Sequence, residues 1–578
     1  MNALVASPVL IPMLTAILCV AAWNRLRLQR VISVLGALAL LAVSVWLIVL
    51  VDSGGAVSTQ FAGWAAPYGI AFVADRFATI MVLLNGISAI AVVIYSLGSI
   101  DERRESMGYH ALLHALIGAC SGAFLSGDLF NIYVWFEVML MSSFVLLTLG
   151  GERGQLEGAI KYVTLNLLSS VIFLSGLGLL YGTVGSLNMA DIGLRIRAAT
   201  EADIPVLTAL SVLFLTAFGV KAAAFPFFFW LPASYHTPPP AISALFAGLL
   251  TKVGVYALIR VFTVVFTTDP HIMGPIISVI AALTMITGVL GAAAQFEIRR
   301  ILSFHIVSQI GYMLMGLGVA IVANVRADRL AETLGADAPD TIAMRSAAAI
   351  ALAGSVFYIL HHIIVKTNLF LVAGVVLKLK GCAELKHIGG LYRSNPMLAL
   401  LFMIPAMSLA GIPILSGFWA KFAIVRAGLQ AETYGIVIAA LFVSALTLFS
   451  MVKIWAEAFW KDQPEGDPRA VESYGAVGAG APFKPALMYA PIIGLAVITL
   501  CIGVGAGPAW NLAERAANDL LDPVPYTEAV LGEPGLQRLA ALGLYEFPAI
   551  DPIGMPIETA SDSALAPTLA DVPTGVTP

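Results

Sequence analysis

Apolar runs long enough to cross a bilayer follow one another along almost the whole chain, and they fix the class of fold. The 578 residues are 59% hydrophobic and 11% charged, whereas soluble domains carry about 25% charged residues. Because about 20 apolar residues span the hydrocarbon as a helix, the runs predict an all-α polytopic membrane protein with about fourteen transmembrane helices. The predicted spans are 3–23, 30–51, 72–98, 110–126, 130–149, 158–184, 206–230, 238–264, 272–295, 300–323, 345–377, 396–425, 434–460 and 486–508.

The connecting segments predict an orientation and exclude several kinds of site. With the N-terminus outside, one side of the membrane collects more loop arginines and all of the loop lysines, so that side is predicted to be cytoplasmic. The Gly-, Ser- and Ala-rich segment 52–71 is then an external loop or short hairpin. The sequence has no CxxC pair, Walker motif or glycine-rich nucleotide loop, so we expect no cofactor, metal site or nucleic-acid partner.

The seventh apolar run contains both a lysine and a proline. Lys221 lies about fifteen residues past the start of the run near Pro205, roughly 22 Å into a helix, which is too deep for easy snorkelling. Pro226 removes a backbone hydrogen bond, and inside a bilayer that is tolerated only where protein or water satisfies the freed groups. The segment therefore predicts a broken helix beside an ion path. The alternative is a structural kink with a lysine that snorkels to the interface.

A second interruption lies in the twelfth run, MSLAGIPILSGFWAKF. Gly411, Pro413 and Gly417 break the apolar pattern, and Lys421 lies just beyond them. Two broken helices in corresponding positions indicate a transporter built from structural repeats. If helices 4–8 (about 110–264) and helices 9–13 (about 272–460) are the repeats, each has five helices, and the odd number inverts the second copy in the membrane. The transmembrane domain is then residues 1–508.

Titratable side chains lie deep in several runs. Glu137 is the one deep carboxylate, and the deep lysines are Lys221, Lys252, Lys366 and Lys421. A buried glutamate and a buried lysine favour each other's charged forms when they approach and release a proton when they separate, so such a pair predicts a proton switch. The alternative is a static buried salt bridge, which stabilises weakly. Three further cations near helix ends are predicted to be interfacial anchors: Lys161, Arg260 and Lys453.

A histidine-rich face is predicted on the eleventh helix. Tyr358, His362 and Lys366 are spaced four residues apart and share one stripe. Because histidine titrates near neutrality, this face is suited to pass protons between buried lysines. His305 is a further possible relay, although a histidine satisfied within the core is an equal alternative. Adjacent His361 and His362 point about 100° apart on a helix and have no nearby carboxylate, so a metal site is not expected.

Five runs carry a family resemblance. DLFNIYVWFEVMLMSSF, FGVKAAAFPFFFWLPASYH, PPPAISALFAGLLTKVGVYALIR, HHIIVKTNLFLVAG and SLAGIPILSGFWAKF resemble the antiporter-like proteins of Mrp-type cation/proton antiporters, which are similar to proton-pumping subunits of respiratory complex I. The third run most resembles the D type of these proteins. The resemblance implies fourteen helices, inverted five-helix repeats and broken helices 7 and 12. It also implies residue roles: Glu137 and Lys221 as coupling pair, Lys252 as central relay, His362 and Lys366 as bridge, and Lys421 as terminal lysine.

The implied function is that of a proton-translocating subunit in a multisubunit Na⁺(K⁺)/H⁺ antiporter of the bacterial inner membrane. It is a secondary transporter driven by the proton motive force and not an enzyme. Its expected partners are other antiporter subunits, H⁺, Na⁺ or K⁺, and the lipid bilayer. The sequence shows no cluster of carboxylates within the spans, so the cation site is expected in a partner or at an interface. The alternatives are a proton-pumping subunit of complex I or of a membrane-bound hydrogenase, and a non-transporting scaffold.

Two polar segments have no role in the resemblance. Residues 509–578 are acidic and Pro-rich, and we expect an extended, solvated, extracytoplasmic tail. Within that tail, the sequence GLQRLAALGLYE is expected to form one or two helical turns. The cytoplasmic segment 461–484 is expected to be a linker.

Overall fold

Helices make up almost all of the molecule. The computed structural model describes residues 2–465 and 483–546. The first helices are α1 (Asn2–Ala21), α2 (Leu26–Gly54), α3 (Arg76–Ser99), α4 (Glu102–Glu105), α5 (Tyr109–Leu125), α6 (Leu129–Leu147), α7 (Arg153–Val184), α8 (Met189–Arg197), α9 (Ile204–Ala222), α10 (Trp230–Ser234), α11 (Pro240–Leu245) and α12 (Thr251–Arg260). The others are α13 (Pro270–Ala294), α14 (Ile298–Leu334), α15 (Pro339–Lys380), α16 (Leu391–Ser394), α17 (Pro396–Ala410), α18 (Ser416–Gln430), α19 (Tyr434–Ile454), α20 (Pro485–Val504), α21 (Ala506–Leu521), α22 (Pro523–Leu531) and α23 (Glu533–Ala541).

The predicted class, an all-α polytopic membrane protein, is confirmed. Twelve helical segments within the described ranges are long and apolar enough to cross a membrane. Two shorter apolar helices, α5 and α17, lie on the other two predicted spans, and α17 continues past a break into α18. The number of crossings and the pairing of helices 4–8 with 9–13 as inverted repeats stay predictions.

Three segments form the centre of the molecule. The apolar window of Pro240–Val265 is 100% buried and those of α14 and α15 are 89% buried, whereas that of α2 is 33% buried. Peripheral helices such as α2 present apolar side chains outward, as a lipid-facing surface requires. Any charged side chain on the central segments must be satisfied within the protein or by internal water, because it cannot reach lipid headgroups.

The central segment Pro240–Val265 is not a regular α-helix throughout. A π-helical turn, Phe246–Leu250, joins α11 to α12, and a second one, Val261–Val265, follows α12. Another π-helical turn, Trp455–Trp460, ends the α19 segment. Single π turns inside α-helices are frequent at functional sites, and the first of them places its backbone directly before Lys252.

One end of the bundle carries the only strands in the described ranges. Strands β1 (Val57–Gln60) and β2 (Ala71–Ala74) form an antiparallel hairpin. Of the two expectations for residues 52–71, a loop or a short hairpin, the hairpin is the one that forms, but β2 extends to Ala74 into the predicted span 72–98. Single bridges join Phe72 to Ser126 and Asp128 to Asn188. The hairpin, the connection between α5 and α6, and α8 therefore lie together, and we call this the hairpin end.

The expectation of an extended, solvated tail is wrong for residues 509–546. They form most of α21 and all of α22 and α23, and only α23 coincides with the helical turn expected from the sequence. Residues 547–578, and residues 466–482 of the expected linker, lie outside the described ranges. The reason for the error is a stripe of apolar side chains on α21 that packs inward despite the acidic composition: Ala513, Ala516, Ala517 and Leu520.

Ion pairs attach these C-terminal helices to the hairpin end. Asp519 accepts two hydrogen bonds of 2.8 Å from Arg76 at the start of α3. Arg515 donates to Asp52 at 3.0 and 2.9 Å. Two backbone carbonyls of α22 also accept from hairpin side chains. The C-terminal helices thus form a roof over this end of the transmembrane bundle.

Candidate functional site

The first break lies where the sequence predicted one, but the helix ends before the proline. α9 stops in front of Ala223, which has a left-handed φ of 58°. The amide of Ala223 donates to Val220 at 3.1 Å and the next amide donates to Gly219 at 2.8 Å, the pattern of a Schellman helix end. Pro226 lies within the irregular segment 223–229 that follows. Helix termination is thus set by Ala223, and Pro226 prevents the helix from resuming at once.

The second break has the same backbone geometry. α17 stops in front of Gly411, which has a φ of 90°. The amide of Gly411 donates to Ser408 at 3.0 Å, and that of Ile412 donates to Met407 at 3.1 Å. Pro413 lies in the irregular segment that precedes α18. Both helices therefore end with the same hydrogen-bonded geometry at their breaks.

Gly417 was predicted to be part of the second break, but it is the second residue of α18. A Cβ at this position would lie 1.9 Å from the carbonyl oxygen of Ser408 and 2.8 Å from His361 Nε2. The absence of a side chain lets α18 begin in direct contact with the end of α17 and with α15. Gly417 thus brings the break and the histidine face together.

Lys221 lies in the last turn of α9 and is 4% exposed. Its Nζ donates to the carbonyl oxygen of Asn166 at 3.0 Å and to Ser170 Oγ at 3.0 Å, both on α7. It also lies 5.6 Å from the centre of the Phe136 ring. The structure therefore places this lysine inside the protein and not at the membrane interface, as the depth estimate predicted.

Glu137 is half-buried on α6, one residue after Phe136. Its Oε1 has no hydrogen-bond partner within the described part of the chain. The carboxylate lies within electrostatic range of Lys221, yet the two do not form a direct ion pair among the described residues. The salt bridge of the alternative interpretation is therefore not formed in the described structure, and the proton switch stays a prediction.

Lys252 and Lys366 are fully buried in the centre. Lys252 Nζ donates to the carbonyl oxygen of Ala247 in the preceding π turn. Lys366 Nζ donates to the carbonyl oxygen of Leu302 on α14 at 3.1 Å. The two amines are within electrostatic range of each other, and both of these acceptors are neutral carbonyls. This arrangement disfavours a state in which Lys252 and Lys366 are both protonated.

Unpaired polar atoms cluster around these two lysines. His362 lies within electrostatic range of both amines and of His305. Buried polar atoms are nearly always hydrogen-bonded, and those without a protein partner are satisfied by internal water. These atoms are therefore the candidates for contact with internal water in the described structure. The buried atoms that lack a partner in the described structure are His305 Nδ1 and Nε2, His361 Nε2, His362 Nδ1 and Nε2, Thr251 Oγ1, Thr367 Oγ1, and Asn368 Nδ2 and Oδ1.

Aromatic rings connect the histidine face with Lys421. Tyr358 stacks on Tyr312 with the ring centres 5.2 Å apart and the planes 8° apart. Lys421 Nζ lies 5.0 Å from the centre of the Tyr312 ring and donates to the carbonyl oxygen of Ala410 at 3.0 Å. Ala410 is the last residue of α17. The Lys421 amine thus lies at the second break. Lys221 lies in the last helical turn before the first break.

Three participants could not be identified from the sequence pattern. His361 Nδ1 is 2.8 Å from Ser416 Oγ at the start of α18. Gln309 Oε1 accepts a hydrogen bond from the Tyr358 hydroxyl, and Tyr312 forms the ring contacts with Tyr358 and Lys421. The four-residue spacing that identified His362 leaves out His361, which points elsewhere on the helix. The available sequence signal for Gln309 was that a glutamine lies in the same apolar run as His305.

The prediction for Arg260 as an interfacial anchor is wrong. The side chain is 2% exposed and forms a bidentate ion pair with Asp75. By contrast, Lys161 is half-exposed and pairs with Glu157 at 2.6 Å, as an anchor can. Lys453 is partly buried and donates to two carbonyl oxygens at 2.7 Å around the end of α13. No group of three potential metal ligands occurs in residues 2–465 and 483–546.

Comparisons with known proteins match this architecture. A family described as NADH:quinone oxidoreductase/Mrp antiporter, transmembrane part, matches residues 126–328 and 341–447. The chain belongs to this family. It is 41% identical over 533 residues to the D subunit of the Na(+)/H(+) antiporter of Alkalihalophilus pseudofirmus, covering 92% of this chain and 100% of that protein. Two solved structures also have chains with a similar fold.

A chain from the Mrp complex of Dietzia sp. DQ12-45-1b has a TM-score of 0.79 at 31% identity, covering 92% of this chain and 100% of that chain. A chain of an archaeal membrane-bound sulfane sulfur reductase has a TM-score of 0.78 at 23% identity, covering 91% and 99%, and shows a common fold. Members of the family thus occur within multisubunit membrane complexes. All six residues predicted to carry protons lie inside the ranges that match the family.

Proposed function

We propose that this chain is the proton-translocating D subunit of a multisubunit Na⁺(K⁺)/H⁺ antiporter in a bacterial inner membrane. The observation that carries the proposal is a series of buried lysines and histidines, together with unpaired polar atoms, that extends from one helix break to the other. The 41% identical relative is named for the same activity, which supports the proposal. The N-terminus lies outside, so the hairpin end faces the exterior.

Glu137 and Lys221 form the switch at one end of this series. The carboxylate lies within electrostatic range of the amine but has an unpaired oxygen, so it can approach or withdraw without breaking a direct ion pair. Approach of the carboxylate holds the amine protonated, and withdrawal releases the proton. The backbone break directly after Lys221 allows the end of α9 to move without stretching a continuous helix.

The proton then passes through the centre by way of Lys252, Lys366 and His362. Repulsion between the two amines favours one proton at a time and drives that proton onward when a second one arrives. The unpaired histidine nitrogens and Asn368 hold the water through which it hops. Tyr358 and His305 border this region, and Lys421 is the last acceptor, in the second break.

Sodium or potassium leaves the cytoplasm in exchange for external protons. Moving one charge through 100 mV provides about 2.3 kcal/mol, so the proton motive force is sufficient to drive the exchange. The cation site lies in a partner subunit or at an interface with it. This assignment rests on the lack of a group of three ligating side chains in the described part of this chain.

The test is antiport in everted membrane vesicles that contain the complete complex. Glu137→Ala and Lys221→Ala are each expected to lower sodium-dependent proton flux on the order of 10²-fold, the contribution of a positioned proton-transfer group. The matched control is Lys161→Ala, because Lys161 is a half-exposed lysine paired with Glu157 on α7. Near-normal flux in either test variant, with the complex assembled, defeats the proposal.

The redox alternative rests on the shared fold with the sulfane sulfur reductase. It makes a different prediction for the purified complex. Iron–sulfur or flavin subunits would accompany the chain, and an electron donor would drive proton pumping without sodium. Small hydrophobic antiporter subunits and flux that depends on sodium or potassium support the antiporter assignment instead.

A further inference from the structure

A polar column leads from Lys252 to the hairpin end. Lys252, Tyr256 and Arg260 are spaced four residues apart on α12, so they share one helix face and rise by about 6 Å at each step. All three are nearly or fully buried. The column therefore provides a polar stripe from the central amine toward the roof of C-terminal helices.

An ion pair closes the column. Arg260 Nη2 donates to Asp75 Oδ1 at 2.8 Å, and Nη1 donates to the other carboxylate oxygen. Asp75 also caps α3 by accepting from the Ala78 amide at 2.8 Å. Arg260 Nε has no hydrogen-bond partner in the described ranges. The guanidinium is thus held by one carboxylate and keeps one donor unused.

Tyr256 links the ion pair to the interior. Its hydroxyl accepts from Arg260 Nη2 at 3.0 Å and donates to the carbonyl oxygen of Phe124 at 2.5 Å. Its ring stacks on Phe77 with the centres 4.8 Å apart. The hydroxyl is fixed between the guanidinium and the end of α5, one helical turn from Lys252. Tyr256 is the one polar side chain on α12 that lies between Arg260 and Lys252 along the shared face.

A C-terminal side chain covers the ion pair. Tyr526 of α22 lies with its ring centre 5.2 Å from the Arg260 guanidinium carbon. It is 4% exposed, and its hydroxyl has no partner in the described ranges. The other charged groups near this point are Asp128 at the start of α6, and Asp519 with its partner Arg76. The cluster holds more carboxylates than its two arginines can neutralise.

We propose that Asp75, Arg260 and Tyr526 form an external proton gate that admits protons to Lys252 through Tyr256. The inference rests on the proposed function and adds an entry route between the external side and the central amine. A purely structural ion pair explains neither the buried Tyr526 hydroxyl, which lies over the pair without a partner in the described ranges, nor the polar face of α12 that continues through Tyr256 to Lys252.

Each step transfers one proton. An external hydronium ion protonates the Asp75 carboxylate and becomes water, and loss of the negative charge loosens the contact with Arg260. Asp75 then gives its proton through water to the Tyr256 oxygen, while the Tyr256 hydroxyl proton leaves the Phe124 carbonyl and passes through water to neutral Lys252. Asp75 is again a carboxylate and re-forms the pair. The Tyr526 hydroxyl donates to the entering water and positions it over Asp75.

The test uses the complete complex in everted vesicles, whose lumen corresponds to the external side. Asp75→Asn keeps the size and the α3 cap but cannot accept a proton as a carboxylate, and Tyr256→Phe removes the transferring hydroxyl. Each is expected to lower sodium-driven proton flux on the order of 10²-fold. The flux that remains in Asp75→Asn is expected to lose its dependence on luminal pH and to keep its dependence on the pH of the medium.

Matched controls separate the gate from general damage. Asp191→Asn alters another buried carboxylate at the hairpin end, which pairs with Arg195 and Arg538. Tyr95→Phe removes another buried hydroxyl, which donates to Leu371 at 3.0 Å. Both controls are expected to retain flux. Tyr526→Phe keeps the ring and removes the hydroxyl, and it is expected to lower flux at high luminal pH without altering assembly.

The outcomes also distinguish the gate from the proposed function. If Lys252→Ala abolishes antiport while Asp75→Asn and Tyr256→Phe behave as wild type, the gate is refuted and the function stands. If Lys252→Ala retains antiport, the function fails and the gate fails with it. If Asp75→Asn and Asp191→Asn lose flux or assembly equally, or luminal pH dependence persists in Asp75→Asn, the ion pair is structural and the gate is refuted.

Discussion

Replacing Gly417 with alanine should separate the second helix break from the histidine face. The new Cβ would lie 1.9 Å from the Ser408 carbonyl oxygen, and ordinary contact begins at 3.4 Å, so the start of α18 must move by about 1.5 Å. The 2.8 Å hydrogen bond between His361 and Ser416 does not survive a shift of that size. The steric cost is about 1–3 kcal/mol, which weakens the protein without unfolding it.

The expected result is an assembled complex with little transport. A displacement of about 1 Å from the productive geometry costs on the order of 10²-fold in rate, so sodium-driven proton flux should fall by about that factor. Flux is measured in everted vesicles by the recovery of a fluorescent pH indicator after sodium is added. Assembly is measured on the same membranes by co-purification of the partner subunits.

Gly178→Ala provides the matched control. Gly178 lies in α7, and a Cβ there would meet nothing within 4 Å. Alanine within a helix is more favourable than glycine by about 0.5–1 kcal/mol, so this variant should transport normally and be slightly more stable. If Gly417→Ala transports as well as Gly178→Ala, the contact between the break and His361 is not needed for proton transfer.

Two further predictions concern the histidine face and a polar contact outside the spans. Tyr358→Phe removes the hydroxyl that donates to Gln309 and should slow antiport on the order of 10²-fold in the same assay; an unchanged rate contradicts the relay. Burial raises the pKa of Glu105, but hydrogen bonds from His110 and Arg30 outweigh it and hold that pKa below its ordinary value. The charged Glu105 carboxylate therefore stabilises the fold at pH values above its ordinary pKa. This stabilisation is lost as the pH falls through the lowered pKa of the folded state. Glu105→Gln should lower the melting temperature at about pH 7, and its difference from wild type should shrink as the pH falls below the ordinary pKa of a glutamate; a difference that does not change with pH refutes this.

The apolar runs, the two breaks and the deep lysines were accessible from sequence because each is a local pattern. A span is visible from its length, and a lysine inside it is conspicuous in any window. Lys221 and Lys421 were found because each lies within a few residues of a proline that interrupts an apolar run. These residues define where the site lies, although their contacts across helices could not be derived from spacing.

The errors concern partners that are distant in the chain. Arg260 was assigned to the interface because it ends a helix, and its partner Asp75 is 185 residues away. The C-terminal helices were missed because their acidic side chains indicated a solvated tail, whereas Asp519 pairs with an arginine 443 residues earlier. His361 was left out because it is not on the stripe of Tyr358, His362 and Lys366, and its partner Ser416 lies at the second break. In each case tertiary pairing reverses what local composition suggests.

In the proposed mechanism, the charge balance at the centre lets the series conduct one proton at a time. Lys252 and Lys366 are held by neutral carbonyls, and Glu137, the one deep carboxylate of the sequence, lies toward Lys221. The two amines are within electrostatic range of each other, and like charges in the protein interior repel, which disfavours protonation of both at once. A proton that arrives at Lys252 therefore lowers the affinity of Lys366 for the proton that Lys366 already carries. Movement at the Glu137 end is then communicated to Lys421 by displacement of charge, and the buried helices between them need not move.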